Sequence, residues 1–542
     1  MNRRSNQLLA CLLAAAFCVA GLTSCGPTDP STAEYWIVKL KTKERKQAIR
    51  QLAGMGETAF VAVPHLVKMY DQNKEKGDVV VALAQLRPGT PELRPQVLDR
   101  LAKAIVDPTE QAAAAAAAAA LGEMGATEKL RDLIGVLGTT MEDEVKAAAL
   151  RSLIKLKDPS VVDDLIKVVD GDPDKQWIHL NELACQALGE IGMPTVEKAL
   201  PAMVRGIFLR DRFQRLAFKG CALALIKCGD PAAVAVLNAM DGKDPVLQEL
   251  AVQRGFVDGL IAEEGVKMLS LLRYKPAAAR VQQELVVKLI PPQSYDEKKQ
   301  EMWSIIEAQR FQNSIDTLGR IGDDATVAEL AKWLYKDEYL RRVRVPFALT
   351  AIGTPAAYKE LLKAAQTAIL DKDKTWFRID CAQQLAFLAG PGEIADLEGV
   401  QKVIEKIEPE LKALQAAEPQ AGAQDFLDRI EGFRQNIAAL RECQEAIPCW
   451  TGKLKDKNPF VREKAVWTLA RSKDPQGLDV LLANLGTPEF ELRNWILNAL
   501  PLVCDQRCVP ALEGVIAAEA DKVAFKGFRD LMTFVLAQVR AR

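Results

Sequence analysis

His65 and His179 are the only histidines in this 542-residue chain, so chemistry that needs several imidazoles, as ligands or as acid–base groups, is outside its reach. His65 stands in Val63, Pro64, His65, Leu66, a helix start where packing or capping is the expected role. His179 is more suggestive, because Trp177 and Glu182 share its helical neighbourhood and can share a surface with it. Among the cysteines, Cys443 and Cys449 flank a helix end at Pro448, and Cys504 and Cys508 flank the stretch Asp505 to Arg507. Both pairs are near enough to be local disulfides in an oxidising compartment. Cys221 and Cys228 lie roughly 10 Å apart along one helix, beyond disulfide reach. They, with Cys185 and Cys381, are expected to be small buried hydrophobes. A zinc site at Cys504 and Cys508 lacks a second ligand pair nearby, so no metal is expected. No nucleophile elbow, phosphate-cradling glycine loop, zincin pair or dinucleotide fingerprint is present, so no catalytic residue is assigned and no cofactor is expected. Two basic clusters remain: Arg210, Arg212, Arg215 and Lys219, and then Arg341, Arg342 and Arg344. Each is either a solvated helix start or a docking surface for an acidic partner or polymer. With Trp177 and His179 they supply the candidate partner-binding residues.

The elements that position these residues must be helices. Apolar residues make up 49% of the chain but aromatics only 6%, and an Ala- and Leu-rich interior suits packed helices better than sheets. Lys and Arg number 71 against 72 Asp and Glu, which gives no overall attraction to nucleic acid or to anionic bilayers. Arg3 and Arg4 precede an apolar stretch from Leu8 to Leu22. That stretch is too short for a bilayer, which takes about 20 helical residues, and it reads as a cleaved export signal.

The signal ends in Leu22, Thr23, Ser24, Cys25, Gly26, which resembles the bacterial lipobox. The resemblance implies that residues 1–24 are cleaved, that the Cys25 thiol carries a diacylglycerol, and that the new amino group is acylated, commonly with palmitate. The alternative is an ordinary secretory signal in which Cys25 is incidental. Two or three acyl chains hold a protein on a membrane almost permanently. Gly26 in place of Asp points to the outer membrane under the sorting rule of enteric bacteria. Residues 25–34, with Pro27 and Pro30, form a tether, and the rest of the chain is expected to face the periplasm in the cell envelope.

A repeat runs through that remainder. Gln51 to Gly56, Ala120 to Gly125, Ala187 to Gly192, Ala224 to Gly229, Thr317 to Gly322 and Ala348 to Gly353 share one pattern, an apolar helix end closed by Gly. The closing Gly suits the left-handed conformation at a helix carboxyl end, and a second amphipathic helix follows it. Gly192 to Gly229 is 37 residues and Gly322 to Gly353 is 31. Degenerate copies at Leu83 to Arg87, Leu153 to Lys157, Leu260, Leu289, Leu385, Leu469 and Leu500 fill the gaps. The unit resembles the HEAT repeat, in its short form found in phycobilisome lyase proteins. Asn458, Pro459, Phe460, Val461, Arg462, Ala465 and Leu469 match that pattern, and Arg344, Arg378 and Arg493 stand at points corresponding to Arg462. The resemblance implies that these arginines bond to acidic or backbone groups of the neighbouring unit. It also implies an all-α, right-handed α-solenoid of about thirteen hairpins, stable only as a stack.

The expected organisation is a repeat array over 35–395, a longer inserted hairpin or a pair of irregular repeats over 396–452, and further repeats over 453–542. The run Ala112 to Ala120 is expected to be a tightly packed helix rather than a linker. A HEAT-type di-iron hydroxylase, with matched His and Glu ligands, is excluded by the histidine count. The expected function is a membrane-tethered scaffold that binds a protein or peptide. Its competitors are a mechanical spacer on the order of 100 Å long at roughly 9–10 Å per layer, and a lyase-like or hydrolytic enzyme needing a pocket with convergent titratable groups.

Overall fold

The computed structural model describes residues 29–213, 215–254, 259–286, 297–336, 342–367, 377–472 and 474–541. The expected signal, the lipobox Leu22, Thr23, Ser24 and Cys25, and Arg341 lie outside the described residues. Among the described residues the chain is helical, with one isolated antiparallel bridge between Arg210 and Leu216. It is an α-solenoid in which one helix of each hairpin packs against its counterpart in the next, forming a ladder. Two compact units divide it, one of residues 1–199 with 209–220 and one of residues 200–208 with 221–542. The division falls inside the stretch read from sequence as one continuous array.

In the first unit the ladder helices are α1 (Arg45–Gly54), α2 (Lys76–Leu86), α3 (Gln111–Glu123), α4 (Asp143–Leu156) and α5 (Ile178–Ile191), each packed on the next. The alanine run lies in α3. Its small side chains let α4 come close, and Ser152 Oγ donates to Ala118 O at 2.7 Å across the two helices. Gly122 is part of this approach: a Cβ there would stand 2.7 Å from Ser152 Cα, so the first glycine of the repeated ending serves helix contact.

The closing glycine serves the turn. Gly56, Gly125, Gly192, Gly229 and Gly353 all have positive φ, as expected, but Gly322 does not. At two degenerate copies Arg87 and Lys157 take the same left-handed position, with φ of 43° and 52°. A side chain there costs free energy that glycine does not. Lys157→Gly is therefore expected to stabilise the first unit by about 1 kcal/mol, read as a raised urea midpoint with an unchanged slope.

In the second unit the ladder is α6 (Leu260–Leu272), α7 (Glu297–Ile321), α8 (Val345–Ile352), α9 (Phe377–Leu388), α10 (Ala423–Cys443), α11 (Pro459–Arg471), α12 (Phe490–Val503) and α13 (Lys526–Ala541). α11 starts as its sequence suggests: Asn458 Oδ1 accepts from Phe460 N at 2.9 Å, and Pro459 opens the first turn. Within the stretch 396–452, α10 takes a place in the ladder, packed on α9 and on α11. The curve is tight there, because α9 and α11 also touch one another. Farther along, α13 meets α6, and Gln538 Nε2 donates to Leu271 O at 2.5 Å.

Arg344 and Arg462 are tied into neighbouring hairpins, and Arg493 into the end of its own. Arg344 Nη2 lies 3.1 Å from Asp316 of α7. Arg493 pairs through both terminal nitrogens with Glu519, at 2.9 and 2.6 Å. Arg462 donates to Asp456 O and pairs with Glu489 at the start of the next hairpin. Cys443 is bonded to Cys449 and Cys504 to Cys508, with Cα atoms 5.3 and 5.8 Å apart. Cys228 and Cys381 are free and buried. Cys185 and Cys221 are buried too, but each is disulfide-bonded, which corrects their reading as simple small hydrophobes. The spacing argument applied only to a pairing of Cys221 with Cys228.

Candidate functional site

The concave side of the second unit's ladder holds a cavity of about 400 Å³. α12 contributes Asn494, Trp495 and Asn498, α11 contributes Glu463 and Trp467, and α9 contributes Gln384. α7 adds Asp316 and Arg320, and Arg344 and Phe347 come from the start of α8. These positions share a helix face across repeats, since Trp467 and Asn498 each follow their repeat arginine by five residues and Thr350 and Gln384 by six.

Both indoles are braced from behind by guanidinium groups. Arg471 Cζ lies 4.8 Å from the Trp467 ring and Arg462 Cζ 5.9 Å from the Trp495 ring. Beneath the cavity, α11 reaches back to helix ends whose last carbonyls have no intrahelical partner. Lys464 Nζ donates to Ala389 O at 2.5 Å, and Arg471 donates to Phe387 O at 3.2 Å and to Thr350 O at 2.5 Å. Lys464 is 2% exposed, and burial drives its ammonium down to about 7 and the Arg471 guanidinium down to about 10. Glu463 is partly open to solvent but walled by protein, and desolvation pushes its carboxyl up to about 7 against the hydrogen bond from Trp467 Nε1. Desolvation also raises Asp316, opposed by Arg344 and Arg320.

Titratable groups do converge here, but they are committed. Asp316 is paired with Arg344, Glu463 accepts from Trp467, and the Thr350 hydroxyl donates to Gln384 O. No His, Ser or Cys lines the cavity; its hydroxyl is that of Thr350 and its carboxylates are those of Asp316 and Glu463. The side-chain amides of Asn494 and Asn498 take part in no hydrogen bond among the described residues. Each carboxamide offers a donor and an acceptor together, which is the complement of a peptide group.

Of the candidate residues read from sequence, Trp177, Arg212 and Arg215 meet elsewhere, in a cleft of about 460 Å³ in the first unit. The chain turns back on itself between Leu209 and Ala217, and Asp211 fixes the turn by accepting from Phe213 N and Arg215 N at 2.9 Å and from Arg215 Nε at 2.6 Å. Burial works to raise the Asp211 carboxyl, but these donors hold it below its ordinary value. The turn displays Phe213, 65% exposed, with Arg212 and Arg215 over its ring at 4.9 and 5.2 Å. Trp177 lines the same cleft and lies against His179, with ring centroids 4.8 Å apart and planes tilted by 54°, while His179 Nδ1 lies 3.1 Å from Glu182. Arg210 stands at the base of the turn, half-buried.

In the second basic cluster Arg341 lies outside the described residues, and Arg344 is half-buried beside Asp316. Arg342, expected to meet a partner, is 1% exposed, donates to Lys336 O and lies 5.0 Å over the Phe377 ring. Its charge is absorbed by the interior, so it is withdrawn as a contact residue. The cavity residues Trp467, Asn494, Trp495 and Asn498 were missed from sequence. For Trp467 and Asn498 the shared offset of five from the repeat arginine was the available signal.

These geometries can be set beside known proteins. The family model for HEAT repeats matches residues 98–180 and 435–523. Those HEAT repeats include α3 and α4 of the first unit and α11 and α12 of the second. No curated protein matches the chain. Among solved structures, importin beta is similar at 11% identity over 92% of this chain and 74% of its own, with a TM-score of 0.46. Kap95p, from a study of its binding to RanGDP, is similar at 13% identity over 94% and 76%, with a TM-score of 0.41. Human deoxyhypusine hydroxylase is similar at 16% identity over 75% and 96%, with a TM-score of 0.21.

Proposed function

We propose that this chain is an exported lipoprotein whose HEAT-type solenoid holds a protein or peptide partner in the bacterial cell envelope, with the concave cavity of the second unit as the holding surface. The observation that carries this reading is the set of unengaged carboxamides on Asn494 and Asn498 beside Trp467 and Trp495. Amides that meet no protein group can bond an extended backbone, and indole faces can take apolar side chains. A spacer has no need of such a cavity. Anchoring follows from the lipobox, with the acyl chains on Cys25 and, by Gly26, the outer membrane as destination. The mass of the mature amino terminus tests that part separately.

For the cavity, a photoreactive residue placed at Asn498 in cells is expected to give one dominant protein adduct. Trp495→Ala in the same chain should abolish it, because truncating a central aromatic anchor typically removes more than about 2 kcal/mol of binding. Adducts no different from those of a probe at the exposed Lys167 would sink the reading.

A further inference from the structure

The amino-terminal end of the first unit carries a concentration of positive charge that the net charge of the chain hides. Between Lys39 and Arg50 stand Lys39, Lys41, Lys43, Arg45, Lys46 and Arg50 against the single carboxylate Glu44. In the fold this segment faces the helix Val63–Asp71 across a groove of about 570 Å³. Lys41, Arg45, Lys68 and Lys74 border the groove, Ile37 and Met69 supply apolar lining, and no carboxylate lines it.

Of the acids close by, Glu44 and Asp71 are engaged with cations outside the groove, and Glu75 also lies 4.0 Å from Arg45 on its rim. Glu44 pairs with Lys39 at 2.9 Å, Glu75 with Lys46 at 3.3 Å, and Asp71 with Arg100 at 2.7 Å. Lys41, Lys68 and Lys74 are exposed and have no ion-pair partner among the described residues. A groove with a basic rim and apolar lining is complementary to a surface that presents anionic phosphates above hydrocarbon.

We propose that this groove docks on the anionic phospholipid headgroups of the membrane that anchors the chain. The proposal rests on the lipid-anchor reading for its geometry. The tether from Cys25 to Ile37 can extend no more than about 40 Å, so an anchored chain keeps the groove at high effective concentration beside the bilayer. Acyl chains and basic groove then act as two signals, one fixing attachment and the other fixing which end of the first unit lies against the membrane.

The test uses the mature chain with Cys25→Ser, which removes the thiol that would carry the lipid, in sedimentation with vesicles of phosphatidylcholine with or without phosphatidylglycerol. Binding is expected only to the vesicles containing phosphatidylglycerol, and should weaken as salt rises. The triple variant Lys41→Gln, Lys68→Gln, Lys74→Gln should bind on the order of a hundredfold more weakly, at about fivefold per charge. These side chains are exposed and unpaired, so the variant should keep its thermal midpoint, and the pair Lys167→Gln, Lys175→Gln elsewhere in the unit should bind as the parent does.

Equal binding to both vesicle types, no loss in the triple variant, or displacement by inorganic phosphate at vesicle-equivalent concentration would overturn the proposal. The last outcome would mark a site for small anions instead. A mature amino terminus without acyl mass would remove the anchor while leaving the vesicle result to stand on its own.

Discussion

Arg493→Met is expected to destabilise the second unit by about 3–5 kcal/mol, because it leaves a buried carboxylate without its counter-charge. Arg493 is wholly buried and Glu519 is 5% exposed. The guanidinium meets Glu519 through two bonds and lies beside the rings of Phe525 and Phe528, at 5.0 and 4.8 Å. The hydrogen bonds from Arg493 also hold the Glu519 carboxyl below its ordinary value. That contribution is therefore full above the unfolded carboxyl pKa and fades as pH falls through the lowered folded one. The double variant Arg493→Met, Glu519→Leu should recover most of the loss, since an apolar pair among two phenylalanines leaves no orphaned charge. Urea unfolding followed by tryptophan fluorescence reads both. A single-variant cost under about 1 kcal/mol would mean that water reaches the pair and screens it.

The opposite sign is expected at Lys464. Its folded pKa is driven down to about 7 from an ordinary 10.5. Between those values the unfolded chain binds a proton that the folded chain does not, so stability rises with pH across that window. Below about 7 both states are protonated and the cost of burying the charge is at its full value. Lys464→Met removes that cost but also removes the donor to Ala389 O, whose loss is worth about 1 kcal/mol. The net expectation is a gain of about 1–4 kcal/mol near neutral pH, shrinking as pH approaches 10.5. Denaturation of both proteins at several pH values gives the difference directly. A gap between them that does not change with pH would show that Lys464 is not titrating in that window.

The ladder was legible because its signals are local. A glycine closing a helix, or an asparagine before proline opening one, acts within one turn of its own position, so Gly125, Gly353 and Asn458 could be read one at a time. The same reasoning misjudged Gly322, where Leu318 O stands 2.4 Å from where a Cβ would be. There the glycine is explained by crowding and not by a left-handed turn. Arg342 was misread because a run of adjacent charges looks like a surface, and only the fold shows that the Phe377 ring covers one of them. The cavity was invisible for a third reason. It is walled by five ladder helices, α7, α8, α9, α11 and α12, and how far their faces turn toward one another is the sum of small rotations at every interface, to which no single residue testifies.

The bond from Gln538 to Leu271 joins positions 267 residues apart. An open stack frays at its tips, where the terminal repeat has a neighbour on one side only. With α13 pinned against α6, that tip has a second neighbour, and the weakest line of the second unit becomes a seam. Closing the seam needs a contact across that long stretch of chain, so it should come late in folding.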